Sequence, residues 1–137
     1  MAFRYIGNSP PQATASFTSL TATTITTSTA VAGTETNATA TDNLKLDFSA
    51  NQNFILTLTG ALTLDNPTTE IVGQSGFIVF IQDGTGGRTV SLDTDYEVAG
   101  GGGSLSLSSA ASATDIVPYV TMADARILLG APQLAFA

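Results

Sequence analysis

The hydrophobic pattern of the chain changes near residue 43. From residue 44 onward apolar and polar positions alternate: Leu44, Leu46 and Phe48 enclose Lys45 and Asp47, and Phe54, Leu56 and Leu58 alternate with Thr57 and Thr59. A two-residue period puts every second side chain on one face, as in a half-buried strand. Gly60 interrupts the run, Leu62 and Leu64 resume it, and Asp65-Asn66-Pro67-Thr68 supplies turn formers. The segment Phe77-Ile78-Val79-Phe80-Ile81-Gln82 is almost continuously apolar, and Arg88-Thr89-Val90-Ser91-Leu92 follows it after Asp83-Gly84-Thr85-Gly86-Gly87. A glycine-containing loop of that length between two strand-like runs predicts a hairpin. Residues 95–98 predict a short strand, residues 100–103 a glycine loop, and Leu105 and Leu107 alternate with serines. Residues 115–122 and 126–129 predict a last hairpin around Ala123-Asp124-Ala125, with Pro118 marking an edge strand or a bulge. No segment sustains a helical period with caps. The expected fold is all-β: an antiparallel β-sandwich, jelly-roll-like, over residues 44–137.

The first 43 residues read differently. Twelve threonines fall between residues 14 and 41, and no charge lies between Arg4 and Glu35. Threonine is β-branched and favours extended backbone. Phe17, Leu20, Ile25 and Val31 are too sparse to form a core within one chain. Residues 1–43 are therefore expected to be an extended arm that orders against another chain. Phe3, Tyr5 and Ile6 make an apolar tip before the stiff turn Asn8-Ser9-Pro10-Pro11. The C-terminal Leu134 and Phe136 are apolar where termini are ordinarily polar, so they are expected to pair onto the sheet or dock on a neighbour. The candidate interface residues are accordingly Phe3, Tyr5, Ile6, Phe17, Leu20, Ile25, Leu134 and Phe136.

Composition narrows the chemistry. The chain has 137 residues without Cys, His or Trp, which removes imidazole bases, thiolate nucleophiles, disulfides and the usual zinc ligands. Four basic against 11 acidic residues leave a net charge of −7, unfavourable for nucleic acid. The start MAFRYIGNSPPQ carries no signal-peptide pattern, and no apolar run is long enough for a membrane helix. Asp83, Asp93 and Asp95 suggest calcium ligands, but the spacing of a calcium loop is absent, so Asp83 is expected to cap a turn. The glycines after Asp83 precede a strand rather than a helix, which argues against a phosphate cradle. Glu70 and Glu97 are too isolated to make an acid–base pair convincing. Arg88 is expected to pair with Asp83 or Asp93. Neither an enzymatic activity nor a cofactor is expected.

The block Gly73-Gln74-Ser75-Gly76-Phe77-Ile78-Val79-Phe80-Ile81-Gln82-Asp83-Gly84-Thr85-Gly86-Gly87-Arg88-Thr89-Val90 resembles a module of tailed-bacteriophage virion proteins. The likeness extends through residues 100–103, 105–108, 110–115 and 117–120. The threonine-rich arm is similar in composition to trimer-forming segments of phage fibres. The resemblance implies a structural role in the virion and brings no catalytic residues. On this basis the expected function is a capsid decoration (cement) protein on the capsid surface, a homotrimer whose arm lies across the major capsid protein. A tail or head fibre knob that binds a receptor is the alternative. Neither nucleic acid nor a membrane is expected as a partner.

Overall fold

The computed structural model describes residues 34–136. Nine strands lie among them: β1 (Thr34–Lys45), β2 (Asn53–Asp65), β3 (Ser75–Gln82), β4 (Val90–Leu92), β5 (Tyr96–Val98), β6 (Ser104–Leu105), β7 (Thr114–Ala123), β8 (Arg126–Leu129) and β9 (Gln133–Phe136). No helix occurs among the described residues. The all-β class is as the alternation predicts; the arrangement is not. All nine strands join one sheet, in the order β5-β8-β7-β3-β2-β4-β6, with β1 also on β2 and β9 also on β7. The pairs β1–β2, β2–β3, β2–β4 and β5–β8 are parallel. Those of β3–β7, β7–β8, β7–β9 and β4–β6 are antiparallel.

The expected antiparallel sandwich therefore gives way to a single mixed sheet. Its alternating strands bury one face only, and with no second layer the sheet can hide that face only by curling. Phe54, Leu56, Leu58, Leu62 and Leu64 of β2 all point inward, as do Ile78 and Phe80 of β3 and Val117 and Tyr119 of β7. The two ends of the sheet face one another across a groove of about 320 Å³ that Val98, Leu105 and Leu129 help to line. The result is a nearly closed, barrel-like sheet around one core.

Two long strands organise it. β1 runs along one edge of β2 for its full length, so β3 and β4 share the other edge, at residues 54–58 and 62–64 respectively. Likewise β3 occupies one edge of β7, and β8 and β9 share the opposite one. Hence the predicted hairpin of residues 77–92 does not form. β3 and β4 both run parallel to β2, one after the other, and the glycine loop between them is an excursion from a nearly continuous line. Asp83 N donates to Leu58 O (3.1 Å) before the excursion, and Leu62 N donates to Thr89 O (2.9 Å) after it. The last predicted hairpin does form, with Ala123 opposite Arg126.

Pro118 lies in a strand paired on both sides, not at the sheet edge. Its carbonyl accepts from Gly130 N (2.8 Å), just beyond the end of β8, so its missing N–H removes no rung from the β7–β8 ladder. A β-carbon on Gly130 would stand 2.7 Å from the Pro118 ring, so glycine is needed for this close approach. The compositional boundary at residue 43 falls inside β1. Residues 34–43 belong to the sheet although Ala40 is the only buried one among them. An edge strand takes its order from the ladder, so β-branched threonines suffice without large apolar side chains. The segment 46–52 then carries the chain back across the inward face, where Leu46 and Phe48 are buried. Phe48 packs 5.0 Å from Phe54 and edge-on to Tyr119 at 5.1 Å, closing that side of the core.

Candidate interaction surface

Because Ile78, Phe80 and Gln82 face inward, the odd-numbered residues of β3 face outward. Three of these, Phe77, Val79 and Ile81, are large and apolar. Strand register lines them up with apolar neighbours. Ile55 stands opposite Val79, and Val79 opposite Ile116; in the next rows Phe77 lies against Pro118, and Val120 against Leu128. Phe77 and Met122 are 49% and 50% exposed. Thr34, Asn53, Ile55, Phe77, Val79 and Ile116 line an open groove of about 390 Å³. Through residues 53–59, 75–81 and 114–122, no outward side chain on β2, β3 or β7 is charged.

Of the interface residues expected from the sequence, Phe3, Tyr5, Ile6, Phe17, Leu20 and Ile25 lie outside the described residues. Leu134 and Phe136 are on β9 and are 51% and 46% exposed. Phe136 pairs with Thr114 and so extends the sheet beside the outward row. A buried carboxylate holds β9 there. Asp115 is 1% exposed and accepts from Ser108 N (2.6 Å), Ser108 Oγ (2.8 Å) and Ala135 N (2.8 Å). Ile55, Val79 and Ile116 are not in the interface expected from the sequence. The signal for them is there: an almost continuous apolar run belongs to a strand covered on both faces, and here the core covers one.

The excursion after β3 fixes the end of this surface. The Gln82 side chain imitates a strand backbone, donating from Nε2 to Arg88 O (3.0 Å) and accepting from Arg88 N at Oε1 (2.8 Å). Asp83 Oδ1 accepts from Thr85 N (3.0 Å) and Gly86 N (2.9 Å), and the Arg88 guanidinium donates to Asp83 Oδ2 at 2.8 Å. The hydrogen bond from Arg88, with those from the turn amides, lowers the Asp83 pKa to about 2. Gly86 has φ +74° and sits against the Ser109 carbonyl, where a side chain has neither the conformation nor the room. Each residue of Gln-Asp-Gly-Thr-Gly-Gly-Arg that makes these bonds is thus structural.

The carboxylates with resolved shifts, Asp47, Asp83 and Glu97, are all lowered, chiefly by hydrogen bonds from Ser49, Arg88 and Arg126. Burial raises the Tyr119 phenol to about 12 and raises that of Tyr96 as well. Asp83, Asp93 and Asp95 do not converge, and among the described residues no three His, Cys, Asp or Glu side chains could hold a metal ion.

No curated protein and no solved structure matches the chain. A family model described as "Putative phage tail fibre C-terminal domain" matches residues 47–123, from the segment before β2 to the end of β7. The match spans more than half of the chain and holds the core strands β2 to β7, and the chain belongs to this family of phage virion structural proteins.

Proposed function

We propose that the chain is a tail-fibre module, a non-enzymatic homotrimeric knob that serves in assembly and adhesion at the host surface. The observation that carries this reading is the family match over residues 47–123. It favours the fibre over the capsid-decoration role. A non-enzymatic role is supported by carboxylates whose resolved shifts all run downward, the direction of paired, ionised groups. A homotrimer is supported by the uncharged apolar outer face and by a threonine-rich N-terminal third with few residues able to form a core of its own.

Gold-labelled antibody against the purified chain, applied to intact virions, tests the location. Label on tail fibres is expected. Label over the capsid faces overturns the fibre reading and restores the decoration role. Adhesion is tested separately by preincubating host cells with the chain, which is expected to slow phage adsorption.

A further inference from the structure

The outer face of β2, β3 and β7 carries an apolar row, and among the described residues no layer lies over it. Ile55, Val79 and Ile116 form one continuous row across three strands, with Phe77 beside it. Three kinds of occupant differ in what they require. A saccharide needs convergent hydrogen-bonding groups and flat rings, and this row offers aliphatic side chains and one ring at its rim. A charged peptide needs opposite charge, and the outward positions carry none. A second copy of the chain needs the reverse. Each copy carries a net charge of −7, so two copies repel except where they meet on an uncharged face.

Chain entry points the same way. Thr34, the first described residue, lines the groove, so the chain enters β1 at the rim of this face. Copies held together through residues 1–33 would present these faces to one another at high effective concentration. We propose that the outer face of β2, β3 and β7, centred on Ile55, Val79 and Ile116, is the surface on which copies of this chain pack. This rests on the homo-oligomer part of the function proposed above. Three strands about 4.8 Å apart, with outward residues about 6.7 Å apart along each, give a face of roughly 300 Å². A standard interface buries about 800 Å² per partner, so the face contributes a contact that depends on the full chain and is sensitive to a single charge.

The test compares the mass in solution of the full chain with that of Val79→Glu, Phe77→Ser and Ile71→Glu, by light scattering over a micromolar dilution series. Ile71, an exposed residue of the loop between β2 and β3 that is not part of the row, serves as the control. Wild type and Ile71→Glu are expected to be multimeric. Val79→Glu should dissociate at concentrations at least about tenfold higher than wild type, because like charges then meet in the interface, and Phe77→Ser less so. Far-ultraviolet circular dichroism checks that each variant is folded. A multimeric wild type with folded Val79→Glu and Phe77→Ser of unchanged mass overturns the assignment of this face and leaves the oligomer standing. A wild type that is monomeric throughout overturns the oligomer itself.

Discussion

Strand β3 has two apolar faces with opposite fates. Ile78 and Phe80 point inward and are 0% and 1% exposed, whereas Phe77, one residue away, is 49% exposed. Chemically the two faces are alike; what differs is whether the fold supplies something to cover them. The inner face is covered because the sheet curls and the segment 46–52 lays Leu46 and Phe48 across it. On the outer face Val79 and Ile81 are only partly buried and Phe77 is half-exposed among the described residues, and this is the face on which packing of copies is proposed. The sharpest way to test the contrast begins inside. Phe80→Ala removes a fully buried ring and should cost about 3–5 kcal/mol, read by denaturant unfolding of the purified chain. A loss below about 1 kcal/mol would mean that the inner face is loosely packed and the contrast false.

The next largest effect lies on β7, where inward Asp115 adjoins outward Ile116. Asp115→Ala leaves the Ser108 amide, the Ser108 hydroxyl and the Ala135 amide without their acceptor. Stranding part-buried donors should cost about 2–3 kcal/mol. It should also release β9, which hydrogen exchange would register as faster exchange at Ala135. Unchanged protection there would show that the β7 ladder alone holds the C-terminal strand.

The inner face was legible in the chain because its rule is local. Phe54, Leu56, Leu58, Leu62 and Leu64 alternate, and all five are buried. Partner choice is not local. A parallel β2–β3 pair has no turn between its strands to fix register, so nothing within residues 66–74 announces it. The excursion misleads for a related reason: Asp-Gly-Thr-Gly-Gly satisfies the chemistry of a hairpin loop, whereas the two hydrogen bonds of Gln82 to the Arg88 backbone and the rungs of Asp83 and Thr89 to β2 carry the chain forward. Pro118 predicts an edge or a bulge and lies in an interior strand, because sequence reveals that a donor is missing and not which side it would face. Of the expected interface residues, Leu134 and Phe136 are exposed on β9, while the row Ile55, Val79 and Ile116 exists only once three strands are in register.

Acid provides a finer probe, at the point where β3 leaves the sheet. The hydrogen bond from Arg88 and those from the turn amides lower the Asp83 pKa to about 2, against about 3.9 in an unfolded chain. A depressed carboxylate stabilises the fold above the unfolded value and loses that contribution as pH falls through the folded one. Stability should therefore decline between about pH 4 and pH 2, and Asp83→Asn should flatten that part of the profile. Glu97→Gln is the contrast, since Glu97 pairs with Arg126 at 2.9 Å where the two side chains are 45% and 51% exposed. Solvent screens such a pair, and the Glu97→Gln profile should overlay that of wild type. If Asp83→Asn also overlays it, the excursion is held by Gln82 and Gly86 rather than by charge.

The smallest effect is expected on the outer face itself. Ile81 points outward between Thr57 and Thr114, next in sequence to buried Phe80. Ile81→Thr keeps a β-branched side chain suited to a strand and exchanges apolar surface for a hydroxyl that water can reach. At a dilution where copies are separated, unfolding of this variant should differ from wild type by about 1 kcal/mol or less. The neighbouring Phe80→Ala should lose several times as much. If the two substitutions cost the same in the separated chain, the outer face is covered within one subunit, and its apolar row would serve the fold rather than association.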